Sequence, residues 1–180
     1  MRLFYALWPD AQVREHLAQA ISVMRVESGA KDVPAENYHM TLAFVGEVSN
    51  SGLAVLRQIG RDLQASTFTV TLDTAEYWPQ SQAVVAAARE SPAVLLDLWS
   101  RLHRELARHP ADFPRMPPAK ALRAHVTLAR KASQATVPQA MSPVSWSARS
   151  FSLVRSDTGG ARSVYTVVDT WPLLDEMTKL

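Results

Sequence analysis

One five-residue block constrains this chain more than any other feature. His39-Met40-Thr41-Leu42-Ala43 returns as His125-Val126-Thr127-Leu128-Ala129, identical at four of five positions and 125 − 39 = 86 residues downstream. The chain holds only five histidines, so pairing two of them in matched blocks is informative. The contexts also match. The first block follows an alternating stretch, Arg2 to Leu7, and a helix opened by Asp10, with Val13, Leu17, Ile21 and Met24 at helical spacing and Gly29 at its end. The second follows a short apolar strand, Ala83 to Ala88, and a helix opened by Ser91-Pro92, with Val94, Leu95, Leu98, Leu102 and Leu106 as its stripe. Strand, helix, His-x-Thr strand therefore occurs twice, over about 2–45 and 83–130, and the extra length of the second copy falls in the loop holding Pro110, Pro114, Pro117 and Pro118.

This pattern predicts an α+β fold of two lobes related by a pseudo-two-fold axis. Antiparallel sheet lines a central cleft and helices lie outside. No linker-like stretch divides the lobes, so residues 1–180 are expected to form a single bilobal unit. The remaining expected elements are a strand closing at Gly46 (Tyr38 to Val45), a helix from about Ser51 to Leu63, strands at Phe68 to Leu72 and Leu122 to Arg130, and a final hairpin. That hairpin runs from Ser150 to Arg155, turns at Asp157-Thr158-Gly159-Gly160 and returns from Ser163 to Asp169.

Strand geometry gives the block its chemical meaning. Successive side chains point to opposite faces, so His39 and Thr41 share one face while Met40 and Leu42 anchor the other. His125 and Thr127 repeat the arrangement opposite Val126 and Leu128. Two such strands at a shared cleft assemble two imidazoles and two hydroxyls. Opening a cyclic phosphate needs a base for water and an acid for the departing ribose oxygen. Histidine does both near neutral pH, its pKa being about 6.5. The threonine hydroxyls can donate to non-bridging phosphate oxygens.

Other chemistries find less support. The absence of cysteine excludes disulfides, thiolate metal sites and cysteine nucleophiles. Two histidines are too few for an ordinary zinc site unless Asp or Glu completes it. There is no Gly-x-Ser-x-Gly, no P-loop and no Gly-x-Gly-x-x-Gly, so no cofactor is expected. His16, His103 and His109 lie in or just after helices and read as ordinary surface or boundary residues. The net charge is only +2, yet Arg101 to Lys131 holds eight basic residues against two acidic ones. That asymmetry suits a polyanion, or is a solvated helix face followed by a charged loop.

No apolar run approaches the roughly 18 residues of a membrane span. The opening run, Leu3 to Trp8, is six residues and stops at Pro9-Asp10. A signal-peptide core needs about 7–15, so this run reads as a strand and the expected location is the cytoplasm. Apolar content of 47% gives no sign of a dedicated oligomer face, and a monomer is expected.

The residues resemble the 2H phosphoesterase superfamily, and more narrowly the LigT-like RNA 2′,3′-cyclic phosphodiesterase family, also called the 2′-5′ RNA ligase family. The similarity covers nearly the whole chain. It includes the Arg-x-Phe opening with Pro9, the Val33-Pro34-x-x-Asn37-Tyr38-His39-Met40-Thr41-Leu42 block with Phe44 and Gly46, and Ala124 to Arg130. It ends with Phe151-x-Leu-Val-x-Ser156, Tyr165 and Trp171-Pro172-Leu173. The resemblance implies metal-independent hydrolysis of a terminal RNA 2′,3′-cyclic phosphate to a 2′-phosphate, with RNA ends or nucleotide cyclic phosphates as partners. It also implies an ATP-independent 2′-5′ ligation at the same site. It assigns His39 as proton donor and His125 as acceptor, roles that the nearly symmetric sequence does not itself distinguish. Arg130 matches a family arginine that neutralises phosphate, although strand parity places it opposite His125 unless a bulge intervenes. Tyr38 and Tyr165 are candidates for stacking on a base, or for packing. One departure is Leu122-Arg123-Ala124, where relatives often carry Phe-x-Pro. Two alternatives remain: an RNA-end binding module with weak catalysis, and a phosphodiesterase for another cyclic phosphate or a 2′-5′ oligonucleotide.

Overall fold

The computed structural model describes residues 1–22, 25–26, 30–118, 120–133, 135–136, 141–159 and 163–175. Its strands are β1 (Arg2–Leu7), β2 (Arg25–Val26), β3 (Lys31–Asp32), β4 (Met40–Glu47), β5 (Phe68–Leu72), β6 (Thr74–Trp78), β7 (Ala83–Ala87), β8 (His125–Arg130), β9 (Ala135–Thr136), β10 (Val144–Ala148), β11 (Ser150–Asp157) and β12 (Val164–Pro172). Its helices are α1 (Ala11–Ser22), α2 (Asn50–Asp62) and α3 (Ala93–Ala107). Met24, Gly29 and Gly160, expected in a helix, at its end and in a turn, lie outside the described residues.

Two four-stranded antiparallel sheets carry the architecture, ordered β12-β11-β1-β4 and β3-β8-β7-β6. Pairs β10-β5 and β2-β9 complete the strand pairing of the named elements. Each four-stranded sheet holds one strand–helix–strand repeat, β1-α1-β4 or β7-α3-β8. The helices cross over: α1 packs on β8 and β10, and α3 packs on β4. Strand β3, which leads into the first histidine, is paired to β8 of the other sheet. One apolar core therefore runs through both repeats, from Leu3, Tyr5, Leu7 and Met40 to Val84, Ala86, Val126 and Leu128.

Both sheets are apolar on both faces. On β1, Leu3, Tyr5 and Leu7 enter the main core, while Phe4 and Ala6 form a second cluster with Val154, Trp8, Phe44 and Tyr165. On β7, Val84 and Ala86 enter the core, while Ala83, Val85 and Ala87 pack with Trp78. These second clusters floor the cleft, so groups that face it are drawn partly out of water.

Asp10 caps α1 as its side-chain chemistry requires, accepting from Val13 N at 2.8 Å. Ser91 does not cap α3. Pro92 holds the cap position with ψ 140°, no side-chain cap bond forms, and the first helical bond is Leu96 N to Pro92 O. The extended proline delays the helix to Ala93. The strand expected to end before Gly46 continues to Glu47, because Gly46 takes φ +90° where Val45 is skipped in the pairing with β1.

A matched pair of bulges decides what faces the cleft. On β4, Thr41 pairs with Ala6 and Ala43 with Tyr5, leaving Leu42 as an extra residue. On β8, Thr127 pairs with Val85 and Ala129 with Val84, leaving Leu128 extra. Each extra residue reverses strand parity beyond it. Residues 44 and 130 consequently return to the face that carries the histidine and threonine.

Candidate active site

Strands β4 and β8 approach each other and bring the two blocks to one cleft. His39, Thr127, Arg130 and Tyr165 line a cavity of about 540 Å3. A second of about 340 Å3 shares His39, Arg130, Ser163 and Tyr165 with it and is also lined by Thr41. His125 lines neither, but the imidazoles are close enough for the charge of one to act on the other. Arg130, whose orientation parity alone leaves outside, is turned inward by the Leu128 bulge.

The two histidines are held alike. His39 Nδ1 lies 2.7 Å from Asn37 O, and His125 Nδ1 lies 2.7 Å from Arg123 O. A carbonyl only accepts, so each Nδ1 carries the proton and Nε2 is the basic nitrogen of the neutral ring. The main-chain carbonyl two residues upstream does this work in both copies. That explains how Leu122-Arg123-Ala124 can depart from the family pattern without disturbing His125.

Aromatic walls surround both rings. Trp8 stacks on His39 at 5.3 Å and 16°, with Phe4 at 5.0 Å and Tyr165 edge-on at 5.1 Å. Trp78 sits 4.4 Å from His125. Desolvation by these walls is the main cause that drives the His39 pKa down to about 4, against the bond to Asn37 and aided by the charges of Arg130 and His125. His125 is also lowered, first by burial and then by Arg130 and Arg123, while the hydrogen bond to the Arg123 carbonyl and the charge of Glu76 oppose the shift. Burial works against ionising Glu76. Hydrogen bonds from Trp78 and Arg123, with the charge of Arg123, overcome it and hold the carboxyl below its ordinary value. Trp78 Nε1 donates to Glu76 Oε2 at 2.9 Å, and Arg123 pairs with the same carboxylate.

Tyr38 corrects an expectation. It is 2% exposed within the main core, because it precedes His39 by one residue and faces the opposite way, so its ring cannot stack on a base. Tyr165 lies in the cleft. The basic segment also separates. On α3, Arg101 pairs with Asp97, and Arg104 and Arg108 with Glu105, while Arg123 pairs with Glu76. Of that segment, Arg130 and Lys131 line the cleft cavities. His103 is not an ordinary boundary residue either: its Nε2 donates to Leu42 O, the bulge carbonyl, at 3.1 Å.

Trp8, Trp78, Glu76 and Arg2 are neighbours of the site that sequence reasoning missed. Arg2 places its guanidinium 4.7 Å over the Phe44 ring. Among the described residues no group of three or more His, Cys, Asp or Glu is placed to hold a metal ion, and no helix is long and apolar enough to cross a membrane.

Two opposed sheets with a pair of carbonyl-locked histidines at their meeting point define the LigT-like phosphoesterase fold. The model superposes on E. coli LigT crystallised with 3′-AMP at a TM-score of 0.85, with 31% identity over 96% of this chain and 97% of that one. The family model of the 2′-5′ RNA ligase superfamily matches residues 9–160. The RNA 2′,3′-cyclic phosphodiesterase of Escherichia coli is 32% identical over 96% of both chains. That of Thermus thermophilus is 32% identical over 98% of this chain and 92% of its own. The chain belongs to the 2′-5′ RNA ligase superfamily.

Proposed function

We propose that this protein hydrolyses the 2′,3′-cyclic phosphate at an RNA end to a 2′-phosphate, by acid–base catalysis between His39 and His125 and without a metal. The observation that carries the reading is the pair of imidazoles, each locked through Nδ1 to a main-chain carbonyl at 2.7 Å on matched, bulged strands. The names of the E. coli and T. thermophilus relatives support the substrate.

In the proposed step, His125 Nε2 takes a proton from water as its oxygen bonds to phosphorus. The bond from phosphorus to O3′ breaks, and His39 Nε2–H gives that oxygen its proton. Thr41 and Thr127 donate to the non-bridging oxygens, and Arg130 neutralises the phosphate. Tyr165 offers an aromatic edge beside the nucleotide. With a ribose 5′-hydroxyl in place of water the same step joins two ends through a 2′-5′ bond, and the strained cyclic ester makes ATP unnecessary. Residues 1–180 act here as one bilobal monomer, in the cytoplasm.

A second reading exchanges the two histidines, and the cleft electrostatics favour it. His39, driven to about 4, is the more natural base, while Glu76 supports a proton on His125. A cyclic ester with sulfur at the 3′ position separates them, since a thiolate departs without a proton. Replacing the true acid then has little effect, and replacing the base keeps its full effect.

The primary test is hydrolysis of a short RNA ending in 2′,3′-cyclic phosphate, in EDTA, by wild type, His39→Ala and His125→Ala. The expected result is a 2′-phosphate product and a loss of about 10²–10⁴-fold in each variant, with circular dichroism unchanged. Activity retained by either folded variant overturns the mechanism. Loss of wild-type activity in EDTA with recovery in zinc overturns its metal independence. Binding of that RNA without turnover favours the end-binding module.

A further inference from the structure

The cleft has more room and more charge than the reaction requires. From the shared residues His39, Arg130, Ser163 and Tyr165 it extends in two directions. One arm passes Thr41 to Phe44 and Arg2. The other passes Thr127 and Pro34 to Lys31 and Lys131.

The second arm is built at a cost. Lys31 and Arg130 are direct cross-strand partners on β3 and β8, and like charges directly opposite each other destabilise a sheet. Lys131 follows with φ +60°, a left-handed conformation that non-glycine residues adopt uncommonly. All three side chains are exposed. Among the described residues none has a carboxylate partner, although the other cleft-side cation of β8's approach, Arg123, pairs with Glu76. Asp32 is the one acidic residue lining this arm. Three unpaired cations held together on a strained strand end fit an anion that arrives with the ligand.

We propose that Lys31 and Lys131 form a binding site for the phosphodiester one nucleotide upstream of the reacting end, so that the enzyme selects RNA strands over mononucleosides. The inference rests on the reading of the site as a cyclic phosphodiesterase. Arg130 stands between the sites, shared by the cyclic phosphate and the upstream phosphate. Phosphate contacts of this kind are blind to sequence, so the preference is for chain length rather than for a particular base. A mononucleoside 2′,3′-cyclic phosphate fills the catalytic cleft and leaves this arm empty.

The test compares adenosine 2′,3′-cyclic phosphate with the dinucleotide ApA ending in the same cyclic phosphate. Wild type is expected to show a KM about 10-fold lower for the dinucleotide, with similar kcat. In the double variant Lys31→Gln/Lys131→Gln the dinucleotide KM rises about 10-fold, while KM and kcat for the mononucleoside stay within 2-fold. The salt dependence of the dinucleotide KM flattens by about 0.7 in log–log slope, the value for one single-strand phosphate contact. Equal KM values for both substrates in wild type overturn the proposal while leaving the activity intact, as does an equal rise for both in the variant. If neither substrate is turned over, the activity itself is wrong. Calorimetric binding of ApA 2′-phosphate against adenosine 2′-phosphate then decides the site on its own, by the same loss of preference in the variant.

Discussion

The burial of His39 makes the stability of the protein depend on pH with a sign that can be worked out. In the unfolded chain this imidazole titrates at its ordinary value of 6.5, and in the cleft at about 4. Between those values the unfolded chain binds a proton that the folded chain refuses. Stability therefore rises with pH through this window, is fully present above 6.5, and is lost as pH falls towards 4. At about 1.4 kcal/mol per pH unit, the contribution is about 3 kcal/mol. The ring is half-buried, so this is the upper end of the effect. A domain has only about 5–15 kcal/mol in total, so the loss is large enough to measure.

The perturbation is His39→Gln, which keeps a polar side chain and removes the titration. Urea unfolding of wild type and variant at pH 7, 5.5 and 4 gives two curves of stability against pH. Carboxylates elsewhere affect both alike, so the difference between the curves isolates His39. Wild type is expected to lose about 3 kcal/mol more than the variant on going from pH 7 to pH 4. Parallel curves would refute the argument that the aromatic cage of Trp8, Phe4 and Tyr165 desolvates the imidazole. Proton NMR of the His39 ring checks the same point directly, with a midpoint near 4.

Because both cleft histidines are lowered, kcat/KM is expected to be bell-shaped with its maximum below pH 6.5, and kcat to peak at higher pH because bound phosphate stabilises an imidazolium; stopped assays from pH 4 to 9 read both. Arg130→Gln removes a charge-assisted bond of about 1.5–3 kcal/mol, so kcat/KM should fall about 10- to 100-fold; an unchanged value places Arg130 outside the phosphate site. His103→Leu leaves the Leu42 carbonyl without its donor and should lower stability by about 1–3 kcal/mol in urea. It should also lower kcat more than it raises KM, since the bulge it supports aims His39 and Thr41, and His103→Asn should recover part of both.

The two His-x-Thr strands were legible because their period of two is written in the motif, and the duplication shows as a repeated context. The apolar anchors follow from the same pattern, whereas Tyr165 comes from the family resemblance and not from periodicity. Strand β10 was equally legible in principle: Val144, Trp146 and Ala148 are buried while Ser145 and Ser147 are exposed, the plainest alternation in the chain. Strand β6 was hidden by its position, one residue after β5, where the two run together as a single polar-apolar stretch. The two-residue strands β2, β3 and β9 carry no periodic signal at all. The roles of Glu76 and Trp78 are long-range consequences of β6 lying beside β7, and no local pattern reports them.

The orientation of Arg130 shows why parity fails at such a site. Counting in twos from His125 sends residue 130 to the core, and the same count sends Phe44 there from His39. Each strand carries a Leu-Ala pair in which both residues are buried, an interruption of alternation that marks the bulge once it is looked for. The bulge carbonyls are supplied with donors from outside their own repeat, His103 for Leu42 and the Val33 amide for Leu128. The duplicated scaffold thus presents the same three positions twice: histidine, threonine, and a third residue delivered by the bulge. Only the third differs in chemistry, an arginine on β8 and a phenylalanine on β4. The asymmetry that the proposed reaction, with one acid and one base, demands cannot come from the repeated His-x-Thr. It lies in Arg130 standing where the other strand has Phe44, in the charge of Glu76 acting on His125, and in an aromatic cage that, among the described residues, sets three rings, Trp8, Phe4 and Tyr165, around His39 and one, Trp78, beside His125.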